Sequence, residues 1–195
     1  RTTPSLPELR QAFAAGPATR FAMEWMLDDA ARRPRVLILV SRFDHCLNDL
    51  LYRHRIGELR MEIAAVASNH PDLEPLARQH GVPFVHLPIT PETKPAQETR
   101  LLGLIEETGS ELVVLARYMQ VLSDELCMRL RGRAINIHHS FLPGFKGAKP
   151  YHRAHERGVK LIGATAHYVT ADLDEGPIVE QVVERVDHML TPEDL

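Results

Sequence analysis

"RVLILVS", residues 35–41, decides how the rest of the chain is read. It is an unbroken apolar run with no polar alternation. That is the pattern of a strand buried on both faces, and such strands belong to parallel sheets covered by helices. The sequence after it keeps a matching rhythm. A helical stretch "CLNDLLYRHRIG" (46–57) leads to strand "EIAAVASN" (62–69), helix "DLEPLARQHG" (72–81) and strand "PFVHLPI" (83–89). Helix "AQETRLLGLIEETG" (96–109) carries apolar residues at 101, 102 and 105 and ends at Gly109. Strand "ELVVLAR" (111–117), helix "SDELCMRLRG" (123–132) with Ser123 as its cap, and strand "AINIHHS" (134–140) complete the series. Alternating units of this length predict a parallel sheet with helices on both faces.

The rhythm then changes. "PYHRAHERG" (150–158) reads as a helix, and strands "LIGATAHYV" (161–169) and "PIVEQVVERV" (177–186) are joined only by "TADLDEG" (170–176). So short a connection predicts an antiparallel hairpin. The expected fold is α/β: a mostly parallel, Rossmann-like sheet with an antiparallel C-terminal hairpin.

Residues 1–33 read differently. "LPELRQAFAA" (6–15) is an amphipathic helix, and "TRFAMEWMLDD" (19–29) sets Phe21, Met23, Trp25 and Leu27 against Ala22, Glu24 and Met26 as a half-buried strand. One helix and one strand cannot bury their faces alone, so a partner outside this sequence is expected. "AARRPR" serves as a linker, giving expected domains 1–33 and 34–195. "TPEDL" (191–195) reads as a helix start, with Thr191 as cap and Pro192 in the first position, so a further helix is expected to follow. The chain opens on Arg1, and its true start is expected to lie earlier.

Composition narrows the function. The 195 residues are 44% hydrophobic and 25% charged with net charge −3, so no basic face for nucleic acid is expected. No apolar run reaches the ~20 residues of a membrane span. Cys46 and Cys127 are far apart, as in a reducing compartment such as the cytoplasm.

In open α/β sheets, ligands bind beyond the carboxyl ends of the parallel strands. Four segments fall there: "SRFDHCLND" (41–49), "ARYMQVLS" (116–123), "NIHHSFLPGFKGAKP" (136–150) and the hairpin tip "TADLDEG". Asn136 and His138 are two apart on a strand and leave the same face, with His139 on the opposite one. Asp174 sits in the tip. Asn supplies a neutral donor for an oxyanion, His a proton near neutral pH, and Asp a charge that raises or orients the His. That trio suits acyl-group chemistry. Histidines recur between 138 and 167, but "HERGV" (155–159) has Val159 where a zinc helix needs its second His, and no Cys lies nearby. No metal is expected, and His152 and His155 are expected to face solvent.

The stretch from Asn136 to Val179 adds a resemblance. Asn-x-His, then Ser-x-Leu-Pro, a Gly-containing loop, a Thr-x-His strand and Asp-x-Asp-x-Gly-x-Ile resemble the folate-dependent formyltransferase family. The resemblance implies a catalytic set of Asn136, His138 and Asp174, with a protonated His138 at the oxyanion and Asp174 either holding His138 charged or taking the proton from water. It implies a folate loop of Tyr118, Met119, Gln120, Val121 and Leu122, a pterin contact from Asp172, and His139 and His167 as neighbours that orient water and Asp174. Lys146 is expected to face solvent, with the glutamate tail of folate as its alternative partner. Family members that formylate a phosphorylated amine carry a Gly-rich phosphate loop after strand one. Here "SRFDHCLNDLLYR" (41–53) has no glycine. In that respect the chain is similar to the family's deformylases, whose acceptor is water, with Ser41, Arg42, Phe43, Asp44 and His45 closing the pocket against amines. The expectations are hydrolysis of 10-formyltetrahydrofolate in one-carbon and purine metabolism, with no cofactor. Residues 1–33 would be the end of an ACT-like domain, and the assembly would hold two or more chains.

Overall fold

Strand β1 (Arg35–Val40) is buried from Val36 to Val40, as its apolar run requires. In the computed structural model, which describes residues 4–147 and 149–195, it lies inside a seven-stranded sheet, third from the β3 edge. The strands β2 (Glu62–Ser68), β3 (Phe84–His86), β4 (Leu112–Ala116), β5 (Ala134–His138), β6 (Leu161–Tyr168) and β7 (Ile178–Arg185) give the order β3-β2-β1-β4-β5-β6-β7. Strands β1 to β5 are parallel, and β6 and β7 are antiparallel to their neighbours. The mostly parallel sheet and the C-terminal hairpin are therefore as the sequence predicts. The chain runs outward from β1 to β3 and then returns to β4 on the other side. That reversal opens a crevice at the carboxyl ends of β1 and β4, where α/β folds hold their ligands.

The connecting helices are α2 (His45–Arg55), α3 (Glu74–Gln79), α4 (Lys94–Glu107) and α5 (Asp124–Arg129), with α6 (Pro150–Glu156) before the hairpin. Two apolar cores lie on the two faces of the sheet. One gathers Leu37, Leu39, Leu101, Ile105, Leu115 and Leu126, and the other Val36, Ile38, Val40, Leu47, Leu51 and Val66. Alternate residues of β1 feed opposite cores, which is the period of two expected of a strand covered on both faces.

Two buried polar residues of α4 anchor the loop after β4. Gln97 Nε2 donates to the Tyr118 hydroxyl at 3.0 Å. The Glu98 carboxylate accepts from the Ser123 backbone N–H at 2.9 Å and from the Ser123 hydroxyl. Ser123 also caps α5, its Oγ accepting from Leu126 N at 3.2 Å. Ser123→Ala is expected to lower unfolding free energy by about 1–2 kcal/mol through the lost cap. Ser123→Asp, ordinarily a good cap, is expected to cost more, because a second carboxylate would face Glu98. Urea unfolding of the two variants measures the order, and an Asp variant more stable than Ala would contradict the arrangement.

Residues 1–33 and 34–195 form separate compact units. Within the first, α1 (Leu6–Phe13) starts at Ser5, whose N–H and hydroxyl both donate to Glu8 at 2.7 Å. Arg10 reaches back to the Leu27 carbonyl at 2.8 Å, and Phe13 meets Trp25 edge to face at 5.1 Å. The strand expected over 19–29 is absent. Residues 19 and 20 are helical and residues 23–29 carry no ladder. A strand needs a neighbour to pair with, and none of the described residues supplies one. At the other end, the Asp194 carboxylate accepts from Thr191 N and Oγ1, both at 2.8 Å. This is the helix-start arrangement read from "TPEDL", closed here as a single turn.

Candidate active site

A cavity of about 920 Å³ opens at the carboxyl ends of β1, β4 and β5 and at the hairpin tip. Asn136, His138 and Asp174 all line it, so the fold brings the predicted trio together. Asn136 pairs with His167 across the β5–β6 ladder, and His138 pairs with Thr165. Asp174 takes a left-handed backbone (φ 58°), a conformation Asp tolerates better than most residues, and this turns its carboxylate inward.

Asp174 is buried. Its Oδ1 lies 3.6 Å from His138 Nδ1 and 3.7 Å from His167 Nε2, and its Oδ2 accepts from Gly147 N at 3.0 Å. His138 Nε2 is buried without a hydrogen-bond partner among the described residues. Burial lowers the pKa of His138, and this outweighs the raising effect of Asp174. Burial thus works against the charged His138 expected from the sequence, and Asp174 works for it. Facing a carboxylate, Nδ1 keeps the proton, which leaves the Nε2 lone pair unused.

His167 Nδ1 lies 2.9 Å from the Tyr168 carbonyl, which can only accept, so Nδ1 carries the proton. Its Nε2 then accepts from Asn136 Nδ2 at 3.2 Å. His167 thus orients Asn136, and its Nε2 also faces Asp174, the neighbour the sequence reading gave it, at 3.7 Å. One amide hydrogen of Asn136 is left over.

Other predictions fare unevenly. Tyr118, Met119, Gln120, Val121 and Leu122 all line the cavity. Met119 N–H is engaged by Ser41 Oγ at 3.0 Å, while Gln120, Val121 and Leu122 make no backbone hydrogen bond among the described residues. Phe43 and His45 also line the cavity, in the place where a glycine loop was missing. Arg42 and Asp172 do not. Arg42 is exposed, and the Asp172 carbonyl accepts from Thr170 Oγ1 at 2.9 Å, closing the hairpin loop. Lys146 is paired with Glu175 at 2.6 Å and does not line the cavity. His152, though exposed, stands at the rim. Among the described residues no group of three or more His, Cys, Asp and Glu side chains is arranged to hold a metal ion. No described helix is long and apolar enough to cross a membrane.

His139 lines the same cavity as His138, contrary to the alternation expected of a strand. The β5 ladder ends at His138, so the period of two no longer governs the next residue. Arg117, unremarked in the sequence, holds it: Nη1 lies 2.7 Å from His139 Nδ1 and 2.9 Å from its Nε2, and the guanidinium lies 5.3 Å from the Phe43 ring centroid. The only sequence signal was an Arg closing an otherwise apolar strand. Burial first, and the Arg117 charge second, push the His139 pKa down to about 4. Between its ordinary 6.5 and about 4, the unfolded chain takes up a proton that the folded chain refuses. Stability is therefore expected to fall as pH drops through that range, and His139→Gln to flatten the slope. Urea midpoints from pH 7 to pH 4 measure it, and an unchanged slope in the variant would contradict the assignment.

The family model described as formyl transferase matches residues 34–195. Formyltetrahydrofolate deformylase from a Corynebacterium is 57% identical over 190 residues, covering 97% of this chain and 66% of that protein. The enzyme of that name from Mycobacterium bovis is 53% identical over 193 residues, covering 99% and 62%. The chain thus spans a little under two thirds of the length of these relatives. The crystal structure of formyltetrahydrofolate deformylase from Burkholderia mallei superimposes with a TM-score of 0.87 at 64% identity, covering 97% of this chain and 67% of that one. Glycinamide ribonucleotide transformylase 1 from Symbiobacterium toebii superimposes less closely, at a TM-score of 0.77 and 34% identity over 88% of this chain and 82% of that one. With Asn136, His138 and Asp174 gathered on one cavity and a family match running from residue 34 to the end, the chain belongs to the formyl transferase family.

Proposed function

We propose that the chain hydrolyses 10-formyltetrahydrofolate to tetrahydrofolate and formate. The observation that carries this reading is the buried Nε2 of His138, without a hydrogen-bond partner among the described residues, in a cavity shared with Asn136 and backed by Asp174, where burial also lowers the His138 pKa. The names of the deformylase relatives support it. Water attacks the formyl carbon while His138 Nε2 takes its proton, and the carbonyl electron pair moves onto oxygen. Asp174, facing Nδ1, steadies the imidazolium that forms. The free amide hydrogen of Asn136 donates to the oxyanion, a contact of the kind that contributes about 3–4 kcal/mol in transition states. The carbon–N10 bond then breaks, His138 returns the proton to N10, and formic acid leaves as formate. The balance needs water and 10-formyltetrahydrofolate alone, and no redox or carrier cofactor. The open backbone groups of Gln120, Val121 and Leu122 are placed to read the donors and acceptors of the pterin.

Phe43 and His45 occupy the acceptor side of the cavity, which disfavours a phosphorylated amine. In this reading the formate supplies purine synthesis in the cytoplasm. Residues 1–33 are the end of an ACT-like domain whose exposed Phe21, Met23 and Met26 await a partner sheet, and the protein assembles as two or more chains. Formate release from 10-formyltetrahydrofolate in the absence of any amine tests the activity. One formate per folate is expected, and a folded, folate-binding protein that releases none would overturn it.

A further inference from the structure

We infer that Arg117 and His139 form a binding site for a small carboxylate, and that its ligand is the formate released by the hydrolysis proposed above, on which this inference rests. Arg117 takes a left-handed backbone (φ 61°), unusual outside glycine, and its side chain lines the cavity. No carboxylate pairs with it among the described residues. Asp174 is the one acid lining the cavity, and it faces His138 and His167. The partners of Arg117 are instead a neutral ring, His139, and an aromatic face, Phe43. A partly buried guanidinium without a counter-ion is costly, and an anion that enters the cavity relieves it.

The geometry selects the anion's shape. Nη1 is committed to the His139 ring, and Nε is buried with no hydrogen-bond partner among the described residues. The Nε/Nη2 edge of a guanidinium is the one that takes both oxygens of a carboxylate in two parallel charge-assisted bonds. Phe43, whose ring centroid lies 5.3 Å from the Arg117 guanidinium, is 56% exposed and lines the cavity with it. The place fits the chemistry. The His138 and His139 rings are 5.5 Å apart between centroids, so an anion leaving His138 meets Arg117 next. Formate, planar and without a side chain, is the carboxylate produced at that point. The tail carboxylates of folate share its chemistry, so the test separates the two.

Binding of an anion beside His139 raises its pKa from about 4, so formate affinity strengthens as pH falls toward that value. Sodium formate is titrated into the protein without folate and followed by calorimetry and by the His139 ring resonance, assigned through His139→Gln. Sodium chloride at equal ionic strength is the control. Saturable binding is expected, with an upward shift in the His139 titration and ~10-fold or greater weakening in Arg117→Gln. Arg117→Lys keeps the charge without the fork, retains part of the affinity, and serves if the first variant does not fold. Formate acting no differently from chloride, or binding equally to wild type and Arg117→Gln, would overturn the site. A second arm compares KM for 10-formyltetrahydrofolate and for 10-formyltetrahydropteroate, which lacks the glutamate. If Arg117→Gln raises KM only for the glutamate-bearing substrate, the carboxylate bound is the tail and the formate assignment falls. Formate binding is read without turnover, so its failure leaves the hydrolase reading intact. Absence of formate release from a protein that binds formate sinks that reading alone.

Discussion

Asp174→Asn is expected to slow formate release by about 10²-fold or more, with folate affinity changed little. The substitution is nearly isosteric, and an amide oxygen can still accept from Gly147 N. What it removes is the negative charge 3.6 Å from His138 Nδ1 and 3.7 Å from His167 Nε2. Burial already disfavours a charged His138, and Asp174 is the largest effect acting the other way. Without it, the imidazolium that forms as water gives up its proton has no compensating charge. An amide can also donate to Nδ1, which would hold His138 in the tautomer whose Nε2 is protonated and cannot act as base. The loss should fall on kcat rather than KM, because the change is felt as charge develops. Steady-state kinetics on both proteins check it, and a loss of less than about threefold would show that Asp174 only shapes the loop.

Gly176→Ala is expected to cost about 3 kcal/mol of stability, the upper end for overpacking, and to depress turnover in whatever remains folded. A Cβ at Gly176 would lie 1.7 Å from the Tyr168 carbonyl oxygen and 2.8 Å from its carbon, so backbone must move. That carbonyl accepts from His167 Nδ1, the bond that fixes the tautomer of His167 and through it the amide of Asn136. The same shift pulls on Asp174, two residues upstream. The glycine of the Asp-x-Asp-x-Gly stretch is thus demanded by close approach to β6. Urea unfolding together with formate release measures both effects, and a variant as stable as wild type would contradict the packing.

Much of this was legible in the chain because local rules governed it. The unbroken apolar run of β1, the Ser123 cap and the short hairpin connection each depend on neighbours in sequence, and each is found. Asn136 and His138 could be paired because both lie within a strand, where alternation holds. His139 could not, because pairing stops one residue earlier. Arg117 was missed because its direction follows from a left-handed backbone that side-chain chemistry does not announce. Gln97 and Glu98 looked like ordinary polar helix residues, and only the folded chain brings them against Tyr118 and Ser123. Lys146 was read as a solvated lysine with the folate tail as the alternative, and Glu175, 29 residues away, holds it. The strand expected over 19–29 had the right alternation but no neighbour to pair with, and alternation alone makes no ladder.

The central claim is that the acceptor of the formyl group is water. The most direct measurement is a single turnover of 10-formyltetrahydrofolate by the wild-type protein in ¹⁸O-labelled water, with mass analysis of the products. The account predicts tetrahydrofolate and formate carrying one ¹⁸O atom. Tetrahydrofolate that appears only when an amine is supplied, with the formyl group on the amine and no labelled formate, would contradict it.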